Sequence, residues 1–216
     1  SLSGLQAVAT NAVSALSAIQ SAAQANSATD STPSAAEYTA LGVTGIGGAG
    51  QPTVAMINSA LNDGDITGTQ ADTASKVQAI VDAYKAILDS ADGVANNDAV
   101  NPTQAQYAAI GVNGVDTTQE ESLLGDVLDT ASRNGVATDA AAVNTVSKVQ
   151  ALANAVQAVM DGTATQAQLE SLGVTGVTSA NLSSIQAALV AANDTTQLNS
   201  LSGLQAVATN AVSALS

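Results

Sequence analysis

The sequence contains no cysteine, histidine, phenylalanine or tryptophan, and its only aromatic residues are three tyrosines. The usual histidine base, cysteine nucleophile and soft metal ligands are therefore missing. Catalysis would rest on carboxylates and on four basic side chains, which are Lys76, Lys85, Arg133 and Lys148. Because enzyme chemistry depends on acid and base groups of tuned pKa, we expect that the chain is not an enzyme. We accordingly assign it no catalytic, cofactor-binding or metal-ligating residues.

Positive charge is scarce, since 18 acidic residues against four basic ones give a net charge of −14. A polyanion repels the phosphate backbone, which argues against nucleic acid as a partner. An anionic membrane surface is disfavoured for the same reason. The charge serves solubility by colloidal repulsion. The lack of cysteine excludes a disulfide scaffold and suits passage through an oxidising compartment.

Residues 1–29 carry no charge at all. Eight of the first twenty residues are Ser, Thr, Asn or Gln, which is too polar for a membrane span, and the basic start of a signal peptide is missing. We expect no membrane insertion of this segment, with any export signal or anchor lying outside it. The uncharged stretch is either diverged surface composition or a contact with neighbouring copies or other chains, because interface centres are depleted in charge.

The strongest feature of the sequence is an exact repeat. Residues 1–17, SLSGLQAVATNAVSALS, return letter for letter as residues 200–216, which sets a period of 199 residues. Long exact periods are the signature of repeat architectures. We therefore interpret the chain as one period of a tandem array, followed by the first helix of the next copy at 200–216. We expect this helix to be ordered and to dock on residues 149–192, and its packed side would be Leu204, Val207, Ala208, Ala211 and Leu215.

A fainter repeat runs inside this period. One marker is SGLQA at 3–7 and 202–206, with SKVQA at 75–79 and 147–151. The other is LGVTGI at 41–46, IGVNGV at 110–115 and LGVTGV at 172–177. Because both markers occur three times in the same order within the 199-residue period, we divide this period into three helical repeat units. These are unit 1 at 1–70, unit 2 at 71–142 and unit 3 at 143–199.

Each repeat unit is predicted to contain a long, a short and a medium helix. Apolar residues recur at helical spacing in the long helices, for example Leu5, Val8 and Ala9 in the first. No segment alternates with a period of two for long enough to predict a strand. The predicted fold is all-α, a linear array of three-helix repeat units that continues between tandem copies.

Capping residues set the predicted helix boundaries. The short helices should begin at Thr32-Pro33, Asn101-Pro102 and Thr163, and the medium helices near Gln51-Pro52, Thr117 and Thr178. Thr117 with Glu120 fits a capping box. The short helices should end at Gly42, Gly111 and Gly173 in Schellman motifs. The apolar pairs of these motifs would be Tyr38–Val43, Tyr107–Val112 and Leu169–Val174.

Several segments resemble chemical motifs. The loop Gly45-Ile-Gly-Gly-Ala-Gly50 has the GxGxxG spacing of dinucleotide sites, but no strand precedes it, which favours a flexible loop. The acidic turns at 62–65 and 92–98 leave calcium open as a cofactor, although neither has the full EF-hand pattern and helix-ending turns favour the same residues. Sequons stand at Asn181 and Asn193. We expect no cofactor.

The Tyr-x-x-Leu-Gly-Val-Thr-Gly pattern at 38–45, followed by an Ala/Val-rich helix, resembles the helical repeat modules of very long bacterial surface proteins. Such adhesins or biofilm-matrix proteins are secreted and built from many near-identical modules. The resemblance implies an extracellular, cell-surface spacer or stalk whose partners are neighbouring copies of the same repeat. An alternative is a self-assembling subunit of an extracellular filament or sheath, with other chains of the same protein as partners. A carbohydrate- or protein-binding module is a third interpretation, which the shortage of aromatic residues disfavours.

Overall fold

The computed structural model describes residues 1–23, 32–63, 65–92, 101–130, 132–133, 136–137, 140–193 and 195–214. Within these residues the fold is all-helical apart from one very short hairpin, as predicted. The helices are α1 Leu2–Ala22, α2 Ala35–Ala40, α3 Val54–Asp63, α4 Ala74–Ser90, α5 Gln104–Ala109, α6 Thr118–Asp129, α7 Val146–Met160, α8 Gln166–Leu172, α9 Leu182–Ala192 and α10 Leu201–Ser213. Short 3-10 turns lie at Gly68–Gln70, Ala140–Val143 and Thr196–Asn199.

The hairpin was not predicted. Strands β1, Ser132–Arg133, and β2, Val136–Ala137, pair antiparallel, with Ser132 opposite Ala137. Each strand has two residues, so it has no alternating pattern that sequence could reveal.

The short helices begin two residues later than predicted. Ser34, not Thr32, precedes α2, and Thr165, not Thr163, precedes α8. Glu37 and Gln168 close capping boxes with these two caps. At α2 this decides the start, because Ala35, three positions after Thr32, has no polar side chain to close a box. At α8 it does not, because Gln166 stands three positions after Thr163.

Two of the three medium helices also begin later than predicted, and α6 is the exception. Thr117 caps α6, and its box with Glu120 is confirmed: Glu120 N donates to Thr117 Oγ1 at 3.2 Å, and Thr117 N donates to Glu120 Oε2 at 2.9 Å. By contrast, α3 begins after Thr53, one residue beyond the predicted Gln51-Pro52, and α9 begins after Asn181 rather than Thr178.

The predicted helix ends are confirmed. In each short helix the glycine has a positive φ, 82° at Gly42, 81° at Gly111 and 101° at Gly173. Both Schellman hydrogen bonds form each time; after α2, Val43 N donates to Tyr38 O and Gly42 N donates to Thr39 O, both at 3.0 Å. The paired apolar residues are all buried, namely Tyr38, Val43, Tyr107, Val112, Leu169 and Val174.

The described chain divides into two compact parts that are not contiguous in sequence. The first contains Ser1–Leu88, Ala105–Val112 and Asn144–Ser147. In it α1 packs on α2, α3 and the Gly68–Gln70 turn. Its largest fully buried side chains include Ile19, Tyr38, Ile57, Leu61, Tyr84 and Tyr107.

The second compact part contains Asp89–Gln104, Asn113–Val143 and Lys148–Ser216. In it α10 packs on α9, on the Thr196–Asn199 turn and on α6, and the turn itself packs on α6. Buried leucines line these contacts, among them Leu123, Leu124, Leu128, Leu189, Leu198 and Leu204. This division differs from the three repeat units proposed from the sequence, which remain a prediction.

Candidate functional site

A glutamine in each of α4, α7 and α10 holds a backbone loop that lies earlier in the chain. Thr44 N donates to Gln78 Oε1 at 2.9 Å, and Gln78 Nε2 donates back to Thr44 O at 3.1 Å. The equivalent bonds join Gln150 to Asn113 at 2.8 and 2.9 Å, and Gln205 to Thr175 at 2.8 and 3.2 Å. We call this two-way contact the glutamine clasp. It satisfies both backbone groups of one loop residue at once.

The clasp explains why the two sequence markers occur together. The glutamine is the fourth residue of SGLQA or SKVQA, and the clasped residue follows the Schellman valine of LGVTG or IGVNG. The next residue is a glycine with φ of 78° at Gly45 and 77° at both Gly114 and Gly176. A third partner stands four residues after each glutamine, where Nε2 also donates to Asp82, Asn154 or Thr209. Sequence reasoning found both markers but missed this contact.

The repeated tail, α10, is an ordered helix, as predicted. Leu204, Val207 and Ala208 are buried, with exposed fractions of 0%, 6% and 1%. The prediction placed this helix on residues 149–192, and α9 does lie in that range. The docking surface also includes α6, which the prediction omitted. The predicted contact of Leu215 lies outside the described residues.

Polar contacts fix the N-terminus of α10. Leu201 N donates to Asp126 Oδ2 at 2.6 Å, a charge-assisted bond at the positive end of the helix dipole. Gly203 N donates to Ser200 Oγ at 3.1 Å, so that Ser200 is the N-cap. Gln119 Nε2 donates to Thr195 O at 3.1 Å and ties α6 to the chain just before α10. Together with the clasp at Thr175, these bonds set both the position and the register of the helix.

The same seventeen residues at the N-terminus have a different environment. Leu2, Leu5 and Val8 in α1 are exposed to 74%, 69% and 64%. The apolar residues Leu5, Val8 and Ala9 lie on a helix, as predicted, but all three are exposed, and burial in α1 begins only at Ala15. Large apolar side chains at helical spacing on an exposed face mark an interaction surface. We call the exposed residues Leu2, Leu5, Val8 and Ala9 the open face of α1.

The glycine near the start of the repeated segment has different surroundings in α1 and in α10. A Cβ atom on Gly203 would collide with the backbone carbonyl oxygen of Gln197. Helix α10 therefore lies closer to the 3-10 turn than a residue with a side chain at this position would allow. The equivalent residue in α1 is Gly4, whose Cβ would meet only Ser1 Oγ at 3.5 Å. Within α1 alone, nothing requires a glycine at this position.

Helix α1 is long and apolar enough to cross a membrane by length and composition, and it is the one such helix among the described residues. The identical sequence in α10 packs against protein with Leu204 and Val207 buried. In α10 this segment is therefore an amphipathic helix that covers a protein surface.

The glycine-rich loop before α3 closes on itself. Gly47 N donates to Pro52 O at 2.9 Å, and Gln51 N donates to Gly48 O at 3.0 Å. The element before the loop is α2, a helix, whereas a dinucleotide site requires a strand there. Two of the loop amides are thus used internally.

The acidic turns fall largely outside the described part of the chain. Gly64 and the side chain of Asp63 lie outside it, as do residues 93–98 of the second turn. Among the described residues, no group of three or more acidic side chains could hold a metal ion. Of the cations, Lys76 pairs with Asp72 at 2.7 Å and also donates to Thr69 O.

The tyrosines and one sequon have structural environments. All three tyrosines are buried, so none presents a ring face for stacking a sugar. Tyr38 Oη donates to Asn58 Oδ1 at 2.7 Å, and burial, followed by the charge of Glu37, raises the pKa of Tyr38. Burial also raises the pKa of Tyr84 to about 12, despite a hydrogen bond with Ser59 that lowers it. At the sequon, the Asn181 amide is already bonded to Thr178 N and Gly176 O.

No protein-family model, curated protein or solved structure matches the chain.

Proposed function

We propose that the chain is a non-enzymatic structural repeat, a spacer or stalk segment of a giant bacterial surface adhesin that lies outside the cell. Its partners are neighbouring copies of the same repeat. The three-helix repeat units form a linear array that continues from copy to copy, and the array projects a distal adhesive part from the cell surface.

The helix lengths support this arrangement. A long, a short and a medium helix have 21, 6 and 10 residues in repeat unit 1, then 17, 6 and 12 in unit 2, then 15, 7 and 11 in unit 3. Each clasp also joins the long helix of one repeat unit to the loop of the preceding unit. Contacts of this nearest-neighbour kind are what stabilise repeat proteins.

The observation that carries the proposal is the position of α10. Its sequence is the start of a repeat, and it is bound by the same clasp that joins the repeat units inside the period. The end of one period is therefore built to receive the start of the next. Acidic composition and buried tyrosines fit a segment that keeps its length and stays soluble, and they offer little for a ligand to recognise.

The test is the length of tandem chains. Chains of one, two and four periods, each ending in residues 200–216, would be measured by small-angle X-ray scattering. A stalk requires the maximum dimension to grow by a constant increment per period. A dimension that rises much more slowly than the number of periods would refute a linear array. Surface protease treatment of intact producing cells would test the location, since an intracellular repeat would be protected.

A filament or sheath subunit remains the second candidate because apolar side chains stay exposed away from the tail. Val190, on α9, is 61% exposed although α10 covers another side of that helix, and Val13 of α1 is 70% exposed. Lateral packing of separate chains could cover such residues. Electron microscopy of the full-length product separates the two functions. Single thin threads support a stalk, whereas regular fibres of several chains support the filament and count against the stalk.

A further inference from the structure

We propose that the open face of α1 docks onto a second copy of this chain, in the pose that α10 takes on α6, α9 and the Thr196–Asn199 turn. One helix then belongs to two copies: its N-terminal half completes the preceding copy and its C-terminal half is packed in its own. This inference deepens the proposed stalk function by naming the partner of the open face and the surface that receives it.

The apolar stripe of α1 is continuous along the helix. It runs through positions 5, 8, 12, 15, 19 and 22 at alternating spacings of three and four. Its second half is covered in this chain, since Ala15, Ile19 and Ala22 are buried where α1 packs on α2, α3 and the Gly68–Gln70 turn. Its first half is exposed. In α10 the first half is the part that is covered, at Leu204 and Val207. The two helices together therefore show both halves of one stripe that is buried except at its middle position, where Ala12 and Ala211 are partly exposed.

The long helices inside the period have buried stripes too. In α4 the stripe is buried from Val77 to Leu88, and in α7 from Val149 to Met160. Among the long helices of residues 1–199, as far as the structure describes them, α1 alone has a half that nothing in this chain covers. A preceding copy supplies the missing surface, because each copy ends in the elements that hold α10 here.

Gly4 gives independent support. A glycine inside a helix is less favourable than alanine, and α1 in this chain offers Gly4 enough room for a side chain. At the same position of the docked helix, Gly203 lies against the Gln197 carbonyl, where no side chain fits. The internal markers have Lys76 and Lys148 at this position instead. A junction between copies therefore requires glycine at this position, and Gly4 is that glycine.

The receiving contacts are set by the offset of 199 residues. Gln6 would clasp Thr175 of the preceding copy, as Gln205 does here. The backbone N–H of Leu2 would donate to Asp126 of that copy, as that of Leu201 does. Leu5 and Val8 would occupy the places of Leu204 and Val207. Because donor and receiver are different surfaces, the contact is heterologous and propagates into an open chain of copies.

The receiving surface in this chain is occupied by its own α10. A tethered tail has a far higher effective concentration than a separate molecule, so the 216-residue chain should remain monomeric despite its open face. In an array, α1 of the next copy occupies this receiving surface. That helix must then continue beyond the position of Ser213 into its own copy while its first half stays docked on the preceding one.

The first experiment uses a two-copy chain, residues 1–199 followed by residues 1–216. The protein has no cysteine, so two substitutions provide the only thiols. Thr175→Cys in the first copy and Gln6→Cys in the second should be joined by a short bifunctional thiol reagent. The matched control moves the second thiol to Ala7→Cys, because Ala206, its equivalent in α10, is exposed in the docked pose. We expect a yield about tenfold higher for the Gln6 pair than for the Ala7 pair, since docking holds only the former together.

The second experiment removes residues 200–216, which frees the receiving surface while α1 stays open. Sedimentation should show a mass that increases with concentration. Leu5→Ala in this shortened chain should weaken association by about 10–100-fold, the factor expected for one buried leucine, while Ala7→Asp should leave it unchanged. Should the shortened chain fail to fold, the two-copy experiment still decides the question.

Equal cross-linking of the Gln6 and Ala7 pairs would overturn the inference. So would a folded shortened chain that stays monomeric at every concentration, or one in which Leu5→Ala and Ala7→Asp act alike. Such results would leave copies joined by free linkers, and a spacer function could still hold. Failure of the proposed function is separate, because it would appear in the scattering dimensions of longer arrays.

Discussion

Gln205 and Thr175 are joined by two opposed hydrogen bonds, with Thr175 N donating at 2.8 Å and Gln205 Nε2 donating back to Thr175 O at 3.2 Å. These bonds connect α10 to the loop that comes after α8, and the same pairing occurs at Gln78 and Gln150. A glutamine is needed because its amide has a carbonyl acceptor and an NH2 donor in the same plane.

The first prediction concerns this clasp. Gln205→Ala removes both bonds and should lower the free energy of unfolding by about 1–3 kcal/mol, at roughly 0.5–1.5 kcal/mol per hydrogen bond. Gln205→Glu should cost at least as much, because a carboxylate oxygen would replace the donor and face the Thr175 carbonyl. Denaturant unfolding measures both variants. The control is Gln6→Ala, whose side chain is exposed in this chain; an equal loss there would contradict the role assigned to the clasp.

The second prediction compares the same leucine in two environments. Leu204→Ala should destabilise the chain by about 2–5 kcal/mol, as large-to-small substitutions in a core do. Leu5→Ala, at the same position of the identical segment, should change stability by less than about 0.5 kcal/mol because its side chain is exposed. Thermal or denaturant unfolding of the monomer decides between them. A similar loss of stability in the two variants would contradict the difference in burial between Leu5 and Leu204.

The third prediction concerns the paired glycines. Gly203→Ala should destabilise the docked helix by about 1–3 kcal/mol, because its methyl group collides with the Gln197 carbonyl. Gly4→Ala should be neutral or stabilise α1 by up to about 1 kcal/mol, since alanine is the better helix former. Amide hydrogen exchange of α10 and of α1 measures each effect locally. Slower exchange of α10 in the Gly203 variant would contradict the close approach.

Comparison of sequence and structure shows which features each kind of local pattern can predict. The Schellman ends were predictable, because a glycine followed by valine, with an apolar residue four positions before the glycine, specifies the hydrogen bonds and the apolar pair within one short segment. The start of α2 was harder to predict, since Thr32 and Ser34 are both good caps. Only the box partner Glu37 selects between them. The signal was in the sequence, but it had to be read three residues downstream.

The open face of α1 could not be predicted from its own residues. Leu5 and Leu204 have the same neighbours in sequence for several residues on either side, yet one is exposed and the other buried. Burial here depends on which surface lies nearby, and no periodicity contains that information. The glutamine clasp was within reach, because the glutamine stays constant in four copies of the marker while the two residues before it change.

The fourth prediction concerns alkaline pH. Burial raises the pKa of Tyr84 to about 12 and that of Tyr38 further, whereas an unfolded tyrosine titrates near 10. The folded state thus keeps these protons after the unfolded state has lost them. This contribution is complete below about pH 10 and falls between pH 10 and 12 by up to about 1.4 kcal/mol per pH unit for each tyrosine.

Denaturant unfolding from pH 9 to 12 measures this loss. Tyr84→Phe and Tyr38→Phe should each flatten the alkaline decline, with Tyr38→Phe also losing its bond to Asn58 at all pH values. Lysine titration contributes equally to the parent and both variants. An unchanged slope in both variants would mean that the phenols are accessible to solvent.

The fifth prediction concerns loss of the tail. Deleting residues 200–216 removes the helix that covers α9, so amide exchange should become faster around Ile185 and Leu189, which are buried in the complete chain. Exchange in α6 should also increase near Asp126, because Leu201 N no longer occupies its carboxylate.

Leu204→Asp should reproduce this pattern without shortening the chain, since an unpaired carboxylate cannot remain at a position with no exposure to water. Leu5→Asp is the matched control and should leave the exchange of α9 unchanged. Measurement at low protein concentration separates this local effect from head-to-tail association, which would protect α9 again as concentration rises. If deletion and Leu204→Asp both exchange like the parent, α10 contributes nothing to the stability of α9. The helix would then be a passive extension, and a continuous array could not be held together by it.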